Sequence, residues 1–68
     1  MDEALSRAVE IAGGQTALAA KIGVKQAHVW NWLNKTKGVP PQYVLPIERE
    51  TGVSRHDLRP DIYPREAA

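Results

Sequence analysis

The chain predicts an all-helical domain of five short helices, and three observations carry that expectation. Apolar residues recur at three- and four-residue spacing, glycines and prolines cut the chain into short segments, and no stretch alternates apolar with polar as a strand would. At 68 residues with 43% hydrophobic composition, the length suits one domain over residues 1–68 and excludes large enzymes and multidomain machines. A chain this small buries only about 60% of the surface it exposes when unfolded.

The first predicted helix covers residues 2–12. Ala4, Leu5, Ala8, Val9 and Ala12 share a face, acids occupy the first turn, and Gly13-Gly14 ends the run. Residues 15–22 form the second, with Leu18 and Ile22 four apart and Gly23 as the stop. The third spans 25–34, where Val29, Trp32 and Leu33 fall on one buried face. Residues 35–39 lack periodicity and read as a loop. Pro40-Pro41 then opens a fourth helix over 41–51, since proline fits a first turn that has no hydrogen bond to lose. Pro46 lies inside it opposite the Gln42 carbonyl, so a kink or a late start is expected, and Gly52 is the stop. Ser54-Arg55-His56-Asp57 fits a capping box and begins a fifth helix over 55–59 that Pro60 terminates. Residues 60–68 are expected to form a short extended arm, packed at least through Tyr63 and frayed beyond.

A net charge of +1 conceals an uneven distribution. Residues 1–10 carry −2 and residues 48–68 carry −1, whereas residues 11–47 contain no acid and four lysines, Lys21, Lys25, Lys35 and Lys37. That span can face a polyanion without carboxylate repulsion, although four lysines can equally be a solvated surface. With no cysteine there are no disulfides and no thiolate sites, which points to a reducing compartment. No apolar run approaches the roughly 20 residues of a membrane span, so a cytoplasmic protein without membrane association is expected.

The second and third helices meet around one glycine, which is a helix-turn-helix arrangement over residues 15–34. Ala19 is small where the helices approach, Gly23 can take positive φ, and Leu18, Val24, Val29 and Trp32 fill the space beneath. A helix of this kind fits the major groove, where each base pair shows its own donor and acceptor pattern. Gln26 and Asn31 can pair bidentately with adenine, and Ala27 can pack on a thymine methyl. Trp30 contacts DNA or a partner if Val29 and Leu33 face inward; another register buries it. Gln15 and Thr16 either offer side chains and backbone amides to a phosphate or simply cap their helix. Lys25 suits a guanine or a phosphate, His28 the backbone or nothing. Asn34, Lys35, Thr36 and Lys37 form a basic loop placed for a neighbouring strand.

The order Gln15-x-x-Leu18-Ala19 with Gly23-Val24, Val29 and Trp32 resembles small prophage repressors of the Cro and C-one type. It resembles above all the antitoxin-like YdaS group. The likeness continues through Val39-Pro40, Ile47-Glu48-Arg49, Thr51-Gly52 and the segment from Arg55 to Pro64, so it covers most of the chain. The resemblance implies a compact five-helix lambda-repressor-like fold, operator binding and transcriptional control. Trp30 departs from the group, in which a small polar residue often follows the equivalent of Val29.

Catalysis is not expected. His28 and His56 are the only histidines, the neighbours His56-Asp57 point apart on a helix, and no clustered carboxylates suit a metal or call for a cofactor. The alternative to DNA is a protein partner, a toxin or another regulator, met by Arg55, His56, Arg59 and Tyr63, for which capping and arm packing are the competing roles. A module this small commonly binds as a homodimer on half-sites about 34 Å apart. The segment with Ile62 and Tyr63 is the expected pairing surface.

Overall fold

Five helices follow one another in the computed structural model, which describes residues 3–35 and 38–64: α1 (Glu3–Ala12), α2 (Gln15–Ile22), α3 (Gln26–Asn34), α4 (Pro41–Thr51) and α5 (Arg55–Leu58). The described residues form no strand. Each helix stops where its sequence supplies a reason. After α1, the Gly13 and Gly14 amides reach back to the Val9 carbonyl at 3.1 and 2.8 Å. After α2, Gly23 adopts φ 79°, a left-handed conformation that costs a residue with a Cβ about 1–2 kcal/mol, and the Val24 amide closes the turn on the Ala19 carbonyl at 2.9 Å.

Two boundaries differ from expectation, the start of α3 and the end of α5. Lys25 is extended (φ −89°, ψ 154°), so α3 starts at Gln26 with Lys25 as its N-cap. α5 stops at Leu58 because Arg59 leaves the helical region (φ −141°, ψ 76°), as the residue before a proline tends to do. α4 begins at Pro41 and runs unbroken through Pro46. The late start does not occur: Gln42, whose carbonyl loses its helical partner, is exposed, so water can serve that oxygen.

The core is drawn from every helix. Leu5 and Ala8 of α1, Leu18 of α2, Val29 of α3, Val44 and Ile47 of α4, and Leu58 of α5 are almost entirely buried, with Val39 and Val53 joining from the connections. α2 packs against α1, α3 and α4 and so lies at the centre. Trp32 of α3 stacks obliquely on Tyr43 of α4, ring centroids 5.3 Å apart, which ties the two helices by an aromatic pair.

Polar contacts fasten the carboxyl-terminal segment. Ser54 Oγ accepts from the His56 amide at 3.1 Å, an ordinary N-cap bond to the second helical residue rather than the bond to the third that the expected capping box requires, and the Asp57 carboxylate lies 3.4 Å from Arg7 of α1. Arg55 donates from its backbone N–H and from Nε to the two oxygens of Glu48, both at 3.0 Å. Arg59 donates to the Val39 carbonyl at 2.6 Å and to Asp61 at 2.9 and 2.7 Å. The arm is not extended: the Ile62 and Tyr63 amides turn back to the Arg59 carbonyl at 3.2 and 2.8 Å, the Tyr63 carbonyl accepts from His56 Nδ1 at 2.9 Å, and the Tyr63 ring packs partly buried against the core.

Candidate nucleic-acid interface

α3 is braced from below and bare above. Val29 and Trp32 are buried, Leu33 is partly buried, and Ala19 of α2, 2% exposed, has a side chain small enough to bring the two helices close. The opposite side carries Gln26, Ala27, Trp30, Asn31 and Asn34, all exposed. Trp30 is 43% exposed, so of its two possible registers the outward one is adopted.

Gln15 and Gln26, eleven residues apart, are joined by a hydrogen bond from Gln26 Nε2 to Gln15 Oε1 at 2.6 Å. The bond uses one donor of Gln26 and leaves its second N–H and its Oε1, the pair that a bidentate contact to adenine needs. It also holds the Gln26 side chain in place before any ligand arrives. Spacing within the sequence could not disclose this contact, which depends on how α2 and α3 cross.

The start of α2 has no side-chain cap. Its N-cap is Gly14 (φ 121°), which has no side chain to fold over the helix end, and the first intrahelical bond is the Leu18 amide on the Gly14 carbonyl. The amides of Gln15, Thr16 and Ala17 therefore lack intrahelical acceptors and lie at the positive end of the helix dipole. Neither Gln15 nor Thr16 occupies the N-cap position, and Gln15 turns its oxygen to Gln26 instead.

His28 has a structural partner that sequence reading missed: its Nδ1 accepts the Lys25 amide at 3.2 Å. The signal was available in the spacing, since a side-chain acceptor three residues after an N-cap can reach back to it. Nδ1 is the acceptor in that contact, and Nε2 has no partner among the described residues. Asn34 donates from Nδ2 to the Trp30 carbonyl at 2.9 Å, closing the last turn. Beyond it the Lys35 ammonium lies 6.0 Å from the Trp30 ring centroid. Thr36 and Lys37 fall outside the described residues.

Lys21, Lys25 and Lys35 are exposed, and none is in a described salt bridge. The four residues considered as a partner face are otherwise engaged: Arg55 with Glu48 and over the Tyr63 ring at 5.7 Å, His56 with Tyr63, Arg59 with Val39 and Asp61. Those contacts favour the capping and arm-packing roles. Among the described residues no three His, Asp or Glu side chains are grouped to hold a metal, and no helix is long and apolar enough to cross a membrane.

Comparison with known proteins places this geometry in context. Residues 5–67 match the family model described as bacterial toxin YdaS. Among solved structures, the chain is similar to the Cro protein from the prophage element Xfaso 1 in Xylella fastidiosa strain Ann-1. The two share 36% identity with a TM-score of 0.86, over 96% of this chain and 100% of that one. No curated protein sequence matches.

Proposed function

This chain belongs to the bacterial toxin YdaS family, a Cro-like prophage helix-turn-helix group, and from that premise we propose that it is a sequence-specific transcriptional repressor that seats α3 in the major groove of a palindromic operator. The observation that carries the reading is the exposed row of Gln26, Ala27, Trp30 and Asn31 on a helix held from beneath by Val29 and Trp32, inside a span without acids. Gln26, Ala27, Asn31 and Trp30 meet base edges. Gln15, Thr16, Lys25, His28, Asn34, Lys35 and Lys37 meet phosphates. Two copies bind the two halves of the operator.

Selection of bound duplexes from a random pool tests the proposal, with an enriched inverted repeat as the expected result. Gln26→Ala should then lower discrimination between that duplex and random DNA, whereas Lys35→Ala should weaken both about equally. Each lysine that meets a phosphate contributes about −0.9 to the log-log salt slope. Equal losses from the two substitutions would reject this division of labour.

The family's description as a toxin motivates a second reading, a module that binds a toxin or another regulator. Leu45 of α4 and Ile62 of the arm, 39% and 41% exposed, are apolar side chains outside α2 and α3 that such a partner would cover. A pool selection without enrichment would favour this reading.

A further inference from the structure

Resting on the DNA reading above, we propose that Trp30 is a specificity-determining residue that recognises a thymine through its C5-methyl group. The indole is the largest apolar side chain on the exposed side of α3 and is 43% exposed, although the same helix buries Trp32 to 5%. It stands one turn beyond Gln26, whose amide is already held by Gln15, and one turn before Asn34. Along this row, Trp30 therefore offers apolar surface between two amides. The major-groove edges of the bases offer a single apolar group, the thymine methyl.

The surroundings agree with that occupant. Lys35 Nζ lies 6.0 Å from the indole centroid, so apolar surface and positive charge arrive together. A thymine methyl sits at the wall of the groove beside its own strand, where an apolar group and a phosphate are neighbours. No acid occurs between residues 11 and 47 to oppose that phosphate. Ala27, the other apolar residue on this side, has only a methyl group with which to cover another.

The test uses the full chain and the duplex enriched from the random pool, with thymines replaced singly by uracil so that only the methyl is removed. Dissociation constants are read by anisotropy at one salt concentration. For the wild type, one replacement per half-site should weaken binding about four-fold, the effect of one buried carbon. Trp30→Ala and Trp30→Gln should bind the thymine and uracil duplexes alike, and Trp30→Phe should retain part of the difference. Thermal unfolding of these variants should match the wild type, because the ring is outside the core. Wild-type indifference to every replacement, or an undiminished four-fold loss in Trp30→Ala, overturns the assignment while leaving the DNA reading intact. A pool without enrichment overturns the DNA reading and this inference with it.

Discussion

In residues 15–35 the exposed cations Lys21, Lys25 and Lys35 take part in no salt bridge among the described residues, whereas in residues 48–61 Arg55 and Arg59 are each held by an acid of the same segment. The first region leaves its charge exposed; the second uses charge to hold itself together. The residue types follow the division. Lysine is a flexible point charge that suits a phosphate, while the planar guanidinium can grip a carboxylate or a carbonyl from several nitrogens at once. Exposed ion pairs of this kind contribute about 0–1 kcal/mol each, so the fastening gains most from the bonds that reach the backbone of another element. Arg59 on the Val39 carbonyl is the clearest of these.

The harshest test removes what both regions stand on. Trp32→Ala should cost about 3–5 kcal/mol in urea unfolding, comparable with the whole stability of a small domain, and abolish DNA binding and carboxyl-terminal structure together. Loss of binding with unchanged stability would mean that Trp32 does not support both.

A smaller effect separates the regions. Arg59→Ala leaves the Val39 carbonyl without this donor and should lower stability by about 1–2 kcal/mol, with DNA affinity unchanged well below the melting temperature. Lys25→Ala should do the reverse, lowering affinity with no change in melting temperature. Melting curves and anisotropy on the two variants decide whether the division holds.

Acid should act on the second region first. The backbone N–H and then the side chain of Arg55 hold the Glu48 carboxyl below its ordinary value of 4.5, and hydrogen bonds from Arg59 bring Asp61 from 3.8 down to about 2. Carboxyls held low in the folded state stabilise it above their unfolded values, and that contribution is lost as the pH falls through the folded ones. The melting temperature should therefore decline between about pH 4.5 and 2. Glu48→Gln and Asp61→Asn should each flatten part of that decline. A wild-type curve that both variants reproduce would show that these pairs add nothing to folding.

Much of this molecule was readable before any coordinates. Gly13-Gly14, Gly23, Pro41 and Gly52 mark helix ends through backbone conformation, and the spacing of Val29, Trp32 and Leu33 declares the buried side of α3. Such signals are local, carried by residues within one or two turns of each other, so the limits of α2 and α4 matched to the residue. The exposure of Gln26 and Asn31 followed from the same periodicity.

Other features depend on how the helices cross. The Gln26 to Gln15 bond spans 11 positions, Arg59 to Val39 spans 20 and Arg7 to Asp57 spans 50. Periodicity left two registers for Trp30, and the core chose between them by accepting Trp32 against Tyr43. Composition and spacing were enough to determine five helices, the stops of the first four and an acid-free span. Tertiary packing alone decided which distant side chains were tied to one another and which register Trp30 took, because a helix repeats every 3.6 residues whatever lies beside it, and only close packing with its neighbours selects partners from other elements.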